Sequence, residues 1–340
     1  MNKEKLDPLA EVGLPNICSL LGWHHHSATQ ATQADGPFAF KYLICDQKTR
    51  RMFEGNANMA AGVAVNNAIQ YRYCQKIFKL NPSTNKIAPV DNPIMELGDA
   101  QAKAMEEYDK YTPVNSKDEE KFLRYKETIP QTISMLAKAI ETLGVSKDVT
   151  GEGVINFTDK RLHLTIVGRS DLEYSQQVFI DAASSHHHSV APFGLLEIKT
   201  SWDRLGKLKK DGSRSFLSPK VPLTPNRNHL IQVAFYKKCK PNHDARLVYV
   251  TKDDFKIFDK NNCQDLTDEN LENYFEELVR TCIRRERLVL KYDHLTDKEK
   301  FITEIVKDLD PQFDHPFLWS IGDQFVKQAK ELWSSNGGNK

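Results

Sequence analysis

Hydrophobic residues recur at helical spacing through much of the first 150 positions. Ala61, Val65 and Ala68 form one such stripe, and Pro130 lies inside another, where it is expected to interrupt the helix. The first 50 residues are irregular by comparison. The stripes predict helices near 57–78, 97–110 and 118–144.

From about residue 150 the apolar positions begin to alternate, as they do in half-buried strands. The pattern predicts strands at 154–157, 162–167, 178–180, 195–199, 246–251 and 255–258. Helices are predicted at 228–238, 267–285, 296–308 and 318–334. This order indicates an α/β (α+β) fold, in which a small mixed sheet is flanked by helices. We expect an N-terminal region (1–150), a core (151–265) and C-terminal helices (266–340), packed together as one compact unit.

Composition narrows the class of protein. The chain has 340 residues, 40% hydrophobic and 27% charged, and a net charge of +1, which is typical of a globular protein. An anionic partner would therefore have to meet a local basic patch. No apolar run is long enough for a membrane span and no signal peptide is evident, so we expect no membrane partner and a cytoplasmic location. The six cysteines contain no CxxC pair, which disfavours a zinc or iron–sulfur site.

Two short stretches carry the candidate chemistry: the segment that ends at Asp171, and the predicted strand 195–199. Because side chains alternate along a strand, Glu197 and Lys199 are expected to share one face. Burying a carboxylate and an ammonium is costly unless they pair or face a cleft. The plainer alternatives are a surface ion pair on an edge strand for Glu197 and Lys199, and a turn residue for Asp171.

If the two strands are neighbours, the carboxylates of Asp171 and Glu197 converge. Convergent carboxylates are the oxygen ligands that a hard divalent cation needs, and the backbone carbonyl of Ile198 is a plausible further ligand. Such a cation lowers the pKa of a bound water and neutralises charge on a phosphate. Lys199 is then placed to orient that water or to stabilise the developing oxyanion.

These residues resemble the PD-(D/E)XK nuclease superfamily. Asp171 with Glu197-Ile198-Lys199 looks like its second and third motifs. Gln232 and Tyr236, one helical turn apart, resemble the QxxxY element of the RecB-like exonuclease branch. That branch includes CRISPR-associated exonucleases and the mitochondrial genome maintenance exonuclease with its phage relatives. The segment 38–43 is similar to the aromatic and basic stretch that precedes the first motif of the branch.

The resemblance, which covers roughly residues 38–258, implies a deoxyribonuclease that depends on Mg²⁺ or Mn²⁺. It favours a DNA exonuclease over an endonuclease, acting in recombination, repair or phage DNA metabolism beside recombination or replication proteins. It implies Asp171, Glu197 and the Ile198 carbonyl as metal ligands. The implied catalytic set is Asp171, Glu197, Lys199, Gln232 and Tyr236.

The chain departs from this pattern at the first motif, which is usually GxxxHxxxE. The best match begins at Gly62 and places Asn66 at the histidine position and Gln70 at the acidic position. One carboxylate is therefore missing or is supplied from elsewhere, with Glu54 and Asp181 as candidates. The metal count is left at one or two.

Basic residues cluster directly after the predicted strand 195–199. Beside a nuclease centre they form a plausible arm that tracks the phosphate backbone, although such a stretch is usually a solvated loop. The candidate substrate-binding residues are Arg204, Lys207, Lys209, Lys210 and Arg214. Trp202 and Phe216 flank this arm and are expected to pack in the core rather than stack on bases. The histidine runs 24–26 and 186–188 are expected to be loop residues rather than metal ligands.

Three hypotheses follow. The leading one is a metal-dependent DNA exonuclease. The second is a catalytically silent nuclease-like fold that binds DNA or a protein. The absence of the acidic residue at the first motif supports this hypothesis. The third is an enzyme unrelated to nucleic acids, which the near-neutral charge slightly favours.

Overall fold

Helices and strands alternate along the chain in the computed structural model, which describes residues 14–46, 56–81, 86–151, 153–176, 193–208, 214–319 and 323–337. The helices are α1 (Asn16–Leu21), α2 (Asp35–Phe38), α3 (Ala57–Tyr73), α4 (Leu97–Tyr108), α5 (Ser116–Thr142), α6 (Arg227–Cys239), α7 (Asp268–Leu290), α8 (Lys298–Asp308) and α9 (Asp323–Ser335). The strands are β1 (His26–Ser27), β2 (Cys74–Asn81), β3 (Lys86–Asp91), β4 (Val145–Gly151), β5 (Val154–Phe157), β6 (Ile166–Arg169), β7 (Leu172–Gln176), β8 (Phe193–Thr200), β9 (Arg204–Leu208), β10 (Arg214–Leu217), β11 (His243–Val250) and β12 (Phe255–Phe258). The chain is therefore mixed α/β, as expected. The predicted strand at 178–180 lies outside the described residues.

Each of the two compact units draws on separate stretches of chain, so their limits differ from the consecutive segments expected from sequence. The sheet unit contains Gly55–Ile155 and Arg169–Glu272. The helical unit contains Met1–Glu54, Asn156–Gly168 and Asn273–Lys340. We describe the two separately.

A mixed sheet of seven strands, in the order β12-β11-β8-β7-β4-β2-β3, forms the centre of the sheet unit. β4, β7 and β8 are successive antiparallel neighbours, and β11 lies parallel to β8. The helix α6 connects β8 to β11, because two parallel neighbours need a crossover connection. The predicted small mixed sheet flanked by helices is thus present, with β8 near its centre.

The helix α3 packs an alanine-rich face into the core of the sheet unit, where Ala61, Val65 and Ala68 are fully buried. Its first turn is held by two side chains: Asn56 accepts a hydrogen bond from the Met59 amide, and Asp118 accepts one from the Ala57 amide at 2.8 Å. The helix ends at Tyr73.

The predicted continuation of this helix to 78 is wrong. Residues from Cys74 onward form β2, which pairs with β3 on one side and with β4 on the other. The helical spacing of Ile77 with the preceding stripe is coincidental, because ladder pairing on both sides decides the conformation of this segment.

Pro130 lies within α5 but does not interrupt it, contrary to the prediction. A proline removes one hydrogen bond of a helix and crowds the carbonyl one turn earlier, which usually kinks or ends it. Here Ile129 and Ile133 are fully buried on either side, so packing holds the helix together. Gln101 donates to the Pro130 carbonyl at 2.9 Å.

In the helical unit, the predicted strand at 162–167 forms only from Ile166 onward, as β6. The amides of His163 and Leu164 donate to the carboxylate of Glu286 at 2.9 Å each, so these amides are not used in a ladder. β6 lies between β1 and β5 in a sheet of three strands. The predicted strands at 154–157 and 162–167 are thus neighbours in the sheet, as β5 and β6.

Aromatic side chains fill the core of the helical unit. Trp319 and Trp333 are buried with their rings edge to face and the ring centroids 6.4 Å apart. His26, expected in a loop, lies instead in β1 and is buried against Glu286 at 3.0 Å. The run at 186–188 lies outside the described residues. In the parts of the chain that the structure describes, none of the helices is apolar enough over a sufficient length to cross a bilayer.

Candidate active site

The strand β8 presents its polar residues to one face of the sheet. Leu196 and Ile198 pack into the hydrophobic core. Glu197 and Lys199 alternate with them and therefore project to the opposite face, which α6 covers. The predicted pairing of a carboxylate and an ammonium on one face is present.

Asp171 lies directly opposite Glu197. β7 and β8 pair in antiparallel register with Leu172 opposite Leu196, so the preceding residue of β7 meets the following residue of β8. The Ile198 amide donates to Asp171 Oδ2 at 2.6 Å, which fixes the aspartate against β8. Asp171 was expected to end the apolar strand that comes before it, but it lies instead just before β7. The two carboxylates nevertheless share one face of the sheet.

The ammonium of Lys199 is held by two oxygens. Its Nζ donates to Glu197 Oε1 at 2.5 Å and to Gln232 Oε1 at 2.7 Å. Gln232 belongs to α6 and is buried, as is Glu197, whereas Lys199 is about one-fifth exposed. The helix and the strand together therefore hold the charge of Lys199 at the edge of a buried cluster of polar side chains.

Glu197 is only 5% exposed, and its second oxygen, Oε2, has no hydrogen-bond partner among the described residues. Burial raises the pKa of the Glu197 carboxyl, and the nearby Lys199 ammonium acts against that shift. A buried carboxylate oxygen without a donor is energetically costly. An oxygen in this environment is suited to a cation or a hydrogen-bond donor.

Tyr236 lies one turn beyond Gln232 and supports the same face. Its hydroxyl donates to the carbonyl of Arg169 at 2.6 Å. Burial raises the pKa of Tyr236, and the charges of Glu197 and Asp171 add to that shift. The hydrogen bond fixes the backbone two residues before Asp171, so Tyr236 positions the aspartate through the chain.

Two further residues were missed from sequence: His229 and Tyr249. His229 is three residues before Gln232 on α6, and Tyr249 is the register partner of Lys199 on β11. The Tyr249 hydroxyl lies 2.7 Å from His229 Nδ1. The helical spacing of His229, Gln232 and Tyr236 was a usable signal, whereas the role of Tyr249 depends on strand register.

The first-motif equivalents Asn66 and Gln70 lie on α3. A Cβ placed on Gly151 of β4 would approach the Gln70 Cδ to 3.0 Å, so Gln70 packs directly against that strand. Gly151 is paired with Leu172 and therefore shares the face opposite to that of Asp171 and Glu197. The Gln70 side chain thus packs beneath the sheet rather than beside the carboxylates. Glu54 and Asp181, the alternative acids, are outside the described residues.

The basic arm after β8 is the two-stranded ribbon of β9 and β10. Arg204 and Lys207 are exposed on it, while Arg214 forms an ion pair with Glu120 at 3.1 Å. Lys209 and Lys210 are outside the described residues. The ribbon starts at the buried Asp203, whose Oδ2 accepts hydrogen bonds from Arg124 and Lys252.

Of the two aromatic residues of the arm, Trp202 packs in the core as expected, whereas Phe216 does not. Trp202 is buried and packs against Tyr125 with ring centroids 5.2 Å apart. Phe216 is half-buried beneath the guanidinium of Arg124, at 5.5 Å.

Comparison with known proteins adds little to this geometry. No protein-family model and no curated protein matches the chain. One solved structure, titled "Crystal structure of SSO0001", is similar at 17% identity over 53% of this chain and 82% of that one, with a TM-score of 0.23. A likeness of this size carries no argument about fold or function.

Proposed function

We propose that this protein is a metal-dependent nuclease that hydrolyses phosphodiester bonds, and that it acts as a DNA exonuclease. The observation that carries the proposal is the grouping of Asp171, Glu197 and Lys199 on one face of two paired strands. PD-(D/E)XK nucleases carry such a grouping, and the pairing of β7 with β8 supports the same grouping in this chain. The choice of DNA and of exonuclease action rests on the RecB-like motif at Gln232 and Tyr236.

The residues present fit a divalent cation. Asp171 and Glu197 offer carboxylate oxygens from facing positions. Glu197 Oε2, for which the described part of the chain supplies no hydrogen-bond partner, is buried where a cation would satisfy it. In the described ranges there is no group of three His, Cys, Asp or Glu side chains suited to a metal. Mg²⁺ suits such a sparse set, because it commonly keeps several waters and needs only one or two carboxylates. When bound, the cation supplies Lewis acidity toward a phosphoryl oxygen and acidifies a bound water.

The protein's own groups would then divide the remaining work. Lys199 holds its positive charge against Glu197 and Gln232, at a place where negative charge develops on a phosphate. Gln232 fixes the ammonium, and the Tyr236 hydroxyl fixes the backbone that leads to Asp171. Arg204 and Lys207 on the exposed ribbon would meet backbone phosphates of the substrate.

The test is degradation of end-labelled linear DNA and of closed circular DNA with Mg²⁺ or Mn²⁺. Lys199→Ala should reduce the cleavage rate by about 10²- to 10³-fold, the usual cost of losing one preorganised charge-stabilising group. The matched control is Lys260→Ala, which removes a surface ion pair with Asp244 and should leave the rate unchanged.

Each result decides between forms of the proposal. Metal-dependent loss of linear DNA alone supports an exonuclease, and cutting of closed circles redirects it to an endonuclease. Equal rates for native protein and Lys199→Ala would overturn the assigned centre. If the native protein cuts neither substrate, the nuclease proposal fails.

A second candidate is a nuclease-like module that binds DNA without cutting it. The observation in its favour is the pair of amides, Asn66 and Gln70, at positions where the related motif carries a histidine and an acid. A mobility shift of labelled DNA without cleavage in either metal would support this candidate. Absence of both cleavage and shift would favour an enzyme with another substrate.

A further inference from the structure

A short chain of hydrogen bonds leads from the start of α6 to the ring of His229. The amide of Asn226 donates to the Tyr249 hydroxyl oxygen at 2.8 Å. That oxygen lies 2.7 Å from His229 Nδ1, and the two rings are tilted with centroids 5.5 Å apart. An amide N–H can only donate, so the tyrosine oxygen already serves as an acceptor. The same oxygen keeps a second lone pair, so Tyr249 either donates its phenolic proton to His229 Nδ1 or accepts a proton from Nδ1–H.

Taking Tyr249 as the donor in this contact fixes the tautomer of His229. If Nδ1 accepts the tyrosine proton, the neutral ring carries its own proton on Nε2. Burial lowers the pKa of His229 to about 4, and the charge of Lys199 adds to that effect. The ring is therefore neutral at pH 7, with Nε2–H as a donor that Tyr249 does not use.

His229 and Lys199 are neighbours in this corner of the sheet unit. Tyr249 is the register partner of Lys199, and Gln232, one turn along α6 from His229, binds the Lys199 ammonium. The ammonium has three protons, of which Glu197 and Gln232 receive two. One proton of Lys199 and the Nε2–H of His229 are then two donors in this corner of the sheet unit, and in this state neither group offers a lone pair. Such a pair suits an anionic oxygen and rejects a cation or a donor.

We propose that Lys199 and His229 form a subsite for a phosphodiester oxygen, in which His229 donates from Nε2. This rests on the proposed function, since it names the group of the nucleic acid that the site would hold. Tyr249 acts through His229 as a positioning residue. His229 itself would contact the substrate.

The first test compares two substitutions of nearly equal size. The side-chain amide of glutamine reaches about as far as Nε2, whereas that of asparagine reaches only as far as Nδ1. His229→Asn should weaken binding of a fluorescein-labelled single-stranded oligonucleotide, measured by anisotropy in Ca²⁺, by roughly tenfold or more, because a hydrogen bond to a charged group is lost. His229→Gln should stay within about threefold of the native protein.

Thermal unfolding of both variants separates folding from binding. If His229→Asn melts with the native protein and binds the oligonucleotide equally well, the subsite is overturned. The subsite is also overturned if glutamine and asparagine weaken binding to the same extent, since a bulk structural role predicts that result. Absence of oligonucleotide binding by the native protein would overturn it as well.

The second test observes the ring directly, by ¹⁵N correlation of the histidine side chains in the native protein at pH 7. We expect the Nε2–H tautomer for His229, and a change in its Nε2 shift on titration with the same oligonucleotide. A ring protonated at Nδ1, or an Nε2 shift unchanged at saturating oligonucleotide, would overturn the inference. Tyr249→Phe should allow both tautomers to be populated.

Failure of the subsite is distinguishable from failure of the nuclease proposal. DNA cleavage that His229→Asn leaves unaltered in both KM and kcat supports the nuclease and removes the subsite. Selective weakening of binding by His229→Asn, in a protein that cleaves no DNA, supports the subsite and removes the hydrolysis.

Discussion

Each of the two units contains one buried glutamate at the centre of a polar cluster, and the two glutamates differ in how they are satisfied. Glu286, in the helical unit, accepts hydrogen bonds from the amides of His163 and Leu164 and contacts the His26 ring. Glu197, in the sheet unit, has Lys199 on one oxygen and no described partner on the other. Their exposures are nearly the same, at 3% and 5%.

The difference shows in the direction of the pKa shifts. The hydrogen bonds from His26, His163 and Leu164 outweigh burial and lower the pKa of Glu286. At Glu197 burial dominates and the pKa is raised. A buried carboxylate whose two oxygens both accept hydrogen bonds from the protein is suited to a structural role. A buried carboxylate with one oxygen that accepts none is suited to binding a ligand. Burial alone therefore does not separate a structural glutamate from a functional one.

The largest expected effect is on activity, at Glu197. Glu197→Gln should lower metal-dependent DNA cleavage by about 10³-fold, or roughly 4 kcal/mol of barrier, because it removes a metal-binding oxygen. The amide still offers an oxygen to Lys199 and removes a buried charge that burial already disfavours, so the free energy of unfolding should change by less than about 1 kcal/mol. Cleavage assays and urea unfolding measure the two quantities. A large loss of stability would make Glu197 a scaffold residue like Glu286.

Glu286→Gln should show the opposite profile. The variant presents an amide nitrogen to groups that are themselves donors, and it should lose about 3 kcal/mol of stability. Urea unfolding followed by tryptophan fluorescence is the measurement, since Trp319 and Trp333 lie in the helical unit. A loss below about 1 kcal/mol would contradict the assignment of Glu286 as a structural acceptor.

The pH dependence of stability sharpens the same contrast. The pKa of Glu286 is lowered in the folded state, so its contribution is present above its ordinary value of 4.5 and is lost as the pH falls through the folded value. The pKa of buried His26 is also lowered from 6.5, so its charging opposes folding in acid. The stability difference between native protein and Glu286→Gln should therefore shrink below pH 4.5. A difference that grows in acid would reverse the assigned sign.

A smaller effect is expected at Tyr236. Tyr236→Phe removes the hydrogen bond to the Arg169 carbonyl and leaves that buried acceptor without its tyrosine donor. We expect a loss of about 1 kcal/mol in stability and a decrease of a few-fold in kcat, because Asp171 is less firmly placed. Guanidinium unfolding and steady-state kinetics test this. An unchanged kcat would limit Tyr236 to packing.

The smallest effect is expected on DNA binding, and it compares an exposed charge of the ribbon with one that is held in an ion pair. Lys207 is exposed, whereas Arg214 is paired with Glu120. Lys207→Ala should lower the salt dependence of DNA binding by about 0.7 to 0.9 in log–log slope, the value for one phosphate contact. Arg214→Ala should lower it less. Equal changes would mean that the Glu120 pair opens on binding.

Local pattern predicted those parts of the site that depend on local geometry. The alternation at 195–199 gave the shared face of Glu197 and Lys199, and the spacing of Gln232 and Tyr236 gave their common side of α6. The convergence of Asp171 and Glu197 was expected only on the condition that their strands are neighbours, and the register that places Asp171 opposite Glu197 comes from the pairing of β7 with β8.

Features made by distant pairing were not predictable in this way. The conversion of the helical stripe into β2 depends on β3 and β4. Residues 162–165 do not form the predicted strand because Glu286, more than 100 residues later in the chain, accepts hydrogen bonds from the amides of His163 and Leu164. His229 and Tyr249 meet because α6 packs against β11, the strand that follows it in the chain. In each case a long-range partner overrides the local preference.

The interleaving of the helical unit has a consequence for synthesis on the ribosome. His26 and Glu286, which join in its core, are 260 residues apart in sequence. At a typical translation rate, roughly 10 to 50 seconds separate their emergence. During that interval the N-terminal segment carries Trp23 and Phe38 without the C-terminal helices that later bury them. Chaperones that recognise exposed aromatic residues thus have a defined window in which to act on the nascent chain.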